Sequence, residues 1–117
     1  MNRTTKELIA ELRAEATKAE FVLLVVGFPT ESKIVDARQP DAQEALDALV
    51  LEGGHPLGYL RSVRRGKQRS IESRVLPEYG DDPVPGQALQ RLCEITGDAL
   101  ERQYGVYVNR GSPPSEV

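Results

Sequence analysis

Leu57-Gly-Tyr-Leu-Arg-Ser-Val-Arg-Arg-Gly-Lys-Gln-Arg-Ser-Ile-Glu-Ser-Arg-Val-Leu76 reads as two β-strands joined by a turn. Strand-forming residues run from Leu57 to Val63, Arg64-Arg65-Gly66-Lys67 supplies a glycine-bearing turn, and Gln68 to Leu76 returns as the partner. Alternation puts Leu57, Tyr59 and Val63 on one face of the outgoing strand, and Ile71 and Val75 on one face of the return. The pattern predicts a half-buried antiparallel hairpin. It is also where the positive charge gathers. Residues 61–74 hold six bases against one acid, a net +5, while the other 103 residues hold nine bases and seventeen acids, a net −8. The overall charge of −3 conceals this division. The six bases are Arg61, Arg64, Arg65, Lys67, Arg69 and Arg74, placed at the hairpin tip and on its outer face. A block of one sign has a field reaching about 8–10 Å in physiological salt. Five of the six are arginines, whose forked donors match carboxylate or phosphate in a way lysine cannot.

Working outward, Phe21-Val-Leu-Leu-Val-Val-Gly-Phe28 is apolar without alternation and predicts a strand buried on both faces, central in a sheet. Pro29 to Lys33 is a loop, and Ile34 to Ala37 a short strand pairing back as a hairpin. A helix from Thr4 to Lys18 is signalled by the Thr4/Glu7 capping box and the stripe Leu8, Ile9, Leu12, Ala16. A second opens at Pro40-Asp41, with Asp41 and Glu44 as a capping box. Its stripe is Ala42, Ala45, Leu46, Leu49 and Val50, and Gly53-Gly54 ends it. Pro77 to Pro85 reads as a loop. A third helix runs from Pro85 or Gly86 to Tyr104 on the stripe Leu89, Leu92, Cys93, Thr96, Ala99, Leu100, Tyr104, weakened at Gly97 and capped by Gly105. Val106-Tyr-Val108 makes a last edge strand.

The order α-β-β-α-β-β-α-β predicts a single α+β domain over residues 1–108, a mostly antiparallel sheet with helices packed on one face, followed by a flexible tail over 109–117. The βαββαβ portion permits a ferredoxin-like arrangement. At 117 residues, 39% apolar and 28% charged, the chain is long enough to bury a core without a staple. One cysteine excludes an internal disulfide and a cysteine-based zinc site, and one histidine excludes a histidine-rich metal site. The apolar run at 21–28 is too short to span a bilayer. No apolar stretch follows the charged N-terminus, so no signal peptide is expected. The expected setting is cytoplasmic, without a membrane partner.

The residues that could carry chemistry are scattered. His55 follows a Gly-Gly helix stop and has no second histidine, which reads as a loop residue. Cys93 lies mid-helix on an apolar stripe, where a buried inert thiol is expected. Asp36, Asp41, Asp81 and Asp82 could in principle serve magnesium, and Asp41 could be paired with Glu72-Ser-Arg74 as a carboxylate-metal hydrolase site, but Asp41 reads better as a helix cap. No glycine-rich phosphate loop and no Ser-His-Asp constellation is present. Leu49 through Val63, a helix and then Leu-Gly-Tyr-Leu-Arg-Ser-Val, resembles the helix-to-strand passage of JAB/Mov34 metalloprotease domains. That family follows such a strand with a His-x-His-Pro zinc motif. Here Arg61-Ser62-Val63-Arg64 stands in its place, so the resemblance implies at most a relative without the zinc chemistry.

These readings make the expected function a small binding module, without catalysis, metal or cofactor, that acts through the Arg-rich hairpin. The expected partner is an acidic protein surface or a second copy in a homo-oligomer. Nucleic acid is the alternative, since arginines meet phosphates and two-stranded ribbons fit the major groove. The sequence pI near 5.2 and the lack of an aromatic between Tyr59 and Tyr79 count against it.

Overall fold

Thr4 accepts a hydrogen bond from the Glu7 backbone N–H at 3.1 Å, and the Glu7 carboxylate accepts from the Thr4 N–H at 2.9 Å, so the first helix begins on the expected capping box. This helix is α1 (Thr5–Ala16). The computed structural model describes residues 4–79, 82–105 and 107–110. After α1 come β1 (Phe21–Gly27), β2 (Ser32–Asp36), α2 (Ala42–Leu51), β3 (His55–Arg65) and β4 (Gln68–Val75). A 3-10 turn (Pro77–Tyr79), α3 (Pro83–Tyr104) and β5 (Val108–Arg110) complete the chain order. The five strands form one sheet in the order β2-β1-β3-β4-β5, antiparallel throughout except for the β4–β5 pair. Among the described residues the fold is a single α+β domain with three helices and a mostly antiparallel sheet, as the sequence predicts.

The helices do not share one face, and here the expectation is corrected. Val22, Leu24 and Val26 of β1 pack against Leu8, Ile9 and Leu12 of α1 and Ala42 and Leu46 of α2. Val25, Leu60 and Ile71 pack on the other side against Leu89 and Cys93 of α3. The unbroken apolar run of β1 is the cause, because a strand with no polar face needs cover on both sides. The ferredoxin-like arrangement is also absent. It would set β2 beside β4 and β5 within a split βαβ unit, whereas β2 pairs only with β1 at the sheet edge.

Leu57 and Tyr59 face opposite ways, another departure from simple alternation. Val25 is paired with Gly58 and Val26 with Pro56, so Leu57 is an extra residue in the ladder, a β-bulge. Leu57 turns toward the α3 core and Tyr59 toward the α1 side. Asp41 stands at the N-cap of α2 but its side chain makes no capping bond. α3 starts earlier than expected, at Pro83, because Asp82 accepts from the Val84 N–H at 3.0 Å and proline suits the first turn, where its missing N–H costs nothing. Within α3 the buried line is Pro85, Leu89, Cys93 and Gly97, while Ala99 is exposed.

β5 includes Asn109 and Arg110, which the sequence assigns to the tail; residues 111–117 lie outside the described residues. Arg110 lies against Gly97, where a Cβ would fall 2.5 Å from the Arg110 Nε. The mid-helix glycine that looks like a weakness is the place where the guanidinium crosses the helix. Arg110 donates to Glu101 at 2.9 Å and to Asp98, and its Nε stands 3.6 Å from Glu94. The Arg110 hydrogen bond, joined by one from the Val108 N–H, holds the Glu101 carboxyl below its usual range. A depressed folded value contributes stability above the ordinary glutamate pKa of about 4.3, and that contribution is lost as pH falls through the folded value. Urea unfolding at pH 7 and near pH 3 should therefore show a smaller acid-induced loss for Glu101→Gln than for the wild-type chain. Equal losses would mean that the Arg110–Glu101 contact does not stabilise the folded chain.

Candidate binding surface

The β3–β4 ladder runs in register from Gly58 opposite Val75 to Arg65 opposite Gln68, leaving Gly66 and Lys67 as a two-residue turn. Gly66 has φ +64° at the first turn position, which glycine tolerates and a side chain does not. The turn sequence thus fixes the tip of a long hairpin.

Folding divides the six expected bases. Arg64, Arg65 and Lys67 are exposed together at the tip. The Arg64 Nε donates to the Gly66 carbonyl at 3.2 Å, and Arg65 reaches Glu72 only at 3.9 Å with 67% of its side chain exposed. Arg61 and Arg69 are drawn inward instead. Arg61 is 17% exposed and bridges Glu15 at 2.8 Å and Glu72 at 2.7 Å. Burial lowers the pKa of its guanidinium, but the two carboxylates outweigh that and raise it, so it stays charged. Arg69 is 12% exposed, pairs with Glu20 at 3.0 Å, and lies over the Tyr104 ring at 3.9 Å from its centroid. Glu20 also accepts from the buried Ser62 hydroxyl at 3.0 Å. These bonds tie the stem to the ends of α1 and α3. Arg74 is exposed opposite Tyr59, seven residues from Lys67 and about 23 Å along the strand. The tip is thus a cluster of three bases, and Arg74 is separate.

Two exposed tyrosines stand beside the stem that sequence spacing did not place there. Tyr104 is 50% and Tyr107 73% exposed, and Tyr107 precedes Val108, which pairs with Arg69. The parallel β5 pairing brings them in, and no local signal announces it.

At the opposite end of the sheet, His55 is exposed between two clefts. One, of about 550 Å³, is lined by Phe28, Leu57, Tyr79, Val84 and Pro85; the other, of about 410 Å³, by Leu8, Val50 and Leu76. Asp82 at this end is engaged as the cap of α3. Asp36 accepts from Arg38; burial raises its pKa, but those hydrogen bonds prevail and hold it below the usual range. Asp81 lies outside the described residues. Among the described residues, no group of three or more His, Cys, Asp or Glu side chains is placed to hold a metal ion. Nor is any helix long and apolar enough to cross a membrane.

Cys93 is fully buried, 3.5 Å from the Ile71 carbonyl, and belongs to the α3 core rather than to the clefts at His55. Burial, with Glu94 adding to it, pushes the thiol up to about 11. A thiol reagent at pH 8 should label it at least about 100-fold more slowly in native buffer than in denaturant, since the thiolate is scarce and covered. Rapid native labelling would return it to the list of reactive groups.

Comparison with protein-family models, curated proteins and solved structures finds no match to this chain.

Proposed function

We propose that the protein is a non-catalytic binding module that presents Arg64, Arg65 and Lys67 on the β3–β4 turn to an acidic protein surface. One observation supports this above the others. The stem bases Arg61 and Arg69 are neutralised by Glu15, Glu72 and Glu20 at 2.7–3.0 Å, whereas at the tip Arg65 only reaches Glu72 at 3.9 Å and, among the described residues, no carboxylate pairs with Arg64 or Lys67. Anchoring of the stem holds the tip in place, which lowers the ordering cost of a contact. Opposite charge then steers encounter, and a partner of the same sign is rejected.

A second reading, nucleic acid, is favoured by Tyr104 and Tyr107 beside the stem, since exposed rings next to bases suit unstacked nucleobases. Binding of polyglutamate and of single-stranded and duplex DNA to the immobilised protein, followed as salt is raised, separates the two. The protein reading expects salt-sensitive binding of polyglutamate that DNA fails to bind or displace. Binding of DNA alone, weakening linearly in log salt, would replace it with the second reading.

A further inference from the structure

Two helices cover one face of the sheet and a single helix covers the other. α1 packs on β1 and α2 on β2, while α3 packs on β3, β4 and β5. Five strands about 4.8 Å apart span roughly 19 Å from one edge strand to the other, and a helix with its side chains is about 10 Å across. On the α3 side, a strip about one helix wide over β1 and β2 therefore carries no helix among the described residues. The ladder fixes what lines it. Ile34 is paired with Val25, so it points to this side, and it is 45% exposed. Phe21 and Leu23 of β1 are half-buried there. α3 borders the strip with an apolar flank, Ala88, Ile95 and Ala99, on which Ile95 is 57% exposed. Two clefts sharing Phe28, Pro29, Ser32 and Ala88, of about 550 and 380 Å³, make a continuous groove between α3 and the β1–β2 loop.

We infer that this strip is a homodimer interface, in which the α3 flank of a second copy seats on the strip and the first copy's α3 seats on the strip of the second. The space is about one helix wide, and the chain itself carries a helix of 22 residues with an uncovered apolar flank. Charge fits a like partner as well. Arg91 on α3 and Glu31 on the β1–β2 loop, both exposed, line the same groove. The rim of the groove therefore carries both signs, whereas a rim of one sign would repel its own copy. The contact does not use the hairpin tip, so it is independent of the binding role proposed above. A dimer would carry two tips and bind a repetitive acidic surface with avidity.

Sedimentation equilibrium from micromolar to sub-millimolar concentration tests this. The wild-type chain should dimerise. Ile95→Glu and, separately, Ile34→Glu should each weaken dimerisation by about 30-fold or more, as loss of a central apolar contact does. Both side chains are half-exposed, so circular dichroism should be unchanged, and if one variant misfolds the other decides. Reversing the tip charges should leave the dimer intact. A wild-type monomer across the whole range, a dimer indifferent to both isoleucine variants, or a dimer dissolved only by reversal of the tip would each overturn the inference.

Discussion

Gly58→Ala is expected to destabilise the protein by about 3 kcal/mol, the upper end of what overpacking a core costs. A Cβ there would stand 2.2 Å from the Arg74 carbonyl oxygen, 2.6 Å from Leu89 Cδ1 and 3.0 Å from Val75 Cα. Two of those atoms are backbone of β4, so relief requires the β3–β4 ladder to part or the Leu57 bulge to shift. The same residue sits under α3, so the strain also reaches the second core. Against a total stability of roughly 5–15 kcal/mol, the midpoint of urea unfolding should move visibly. Gly86→Ala is the control. Its Cβ would meet nothing closer than Val75 Cγ2 at 3.8 Å, and alanine in a helix is favoured by about 1 kcal/mol, so the change should be neutral or stabilising. Equal effects at the two glycines would mean that the close approach of β4 to β3 is absent.

Reversal of Arg64, Arg65 and Lys67 to glutamate is expected to abolish binding of an acidic partner while leaving the fold intact. All three are exposed, and surface substitutions of this kind cost within about 0.5 kcal/mol each. Gly66, which sets the turn, is untouched. The charge of residues 61–74 passes from +5 to −1. Attraction becomes repulsion at the contact, and like charges juxtaposed across an interface cost several kcal/mol, so affinity should fall on the order of 100-fold or more. Arg61 and Arg69 predict the opposite pattern. Removing Arg61 strands Glu15 and Glu72 at the stem, so Arg61→Ala should act on stability more than on partner affinity. A triple variant that keeps full affinity would make the tip bases a solvated strand edge and nothing more.

Much of the fold was readable from local pattern. The Thr4/Glu7 box, the turn at Gly66, the order of elements and the double-sided burial of β1 each rest on residues close together in sequence. The side of the sheet on which each helix lands is not a local property. β1 held the clue, since a strand without a polar face is incompatible with helices on one face only. The flip of Leu57 came from a single extra residue in a ladder, which alternation cannot register. The candidate surface was legible as composition but not as geometry. Arg61 and Arg69 look like Arg64 and Arg65 in the sequence, and what separates them are Glu15 and Glu20, 46 and 49 residues away. Tyr104, Tyr107 and the Gly97–Arg110 crossing likewise depend on where α3 and β5 return to the sheet.

The hairpin tip, with Arg64, Arg65 and Lys67, is the surface proposed to meet an acidic partner. Titrating the isotopically labelled protein with polyglutamate and following backbone amide shifts by NMR tests it residue by residue. The expected shifts are concentrated at Arg64 to Gln68, fade along the stem toward Arg61 and Ile71, and vanish in the triple reversal. Shifts centred on Gly53, His55 and Tyr79, or a tip that does not respond at all, would contradict it.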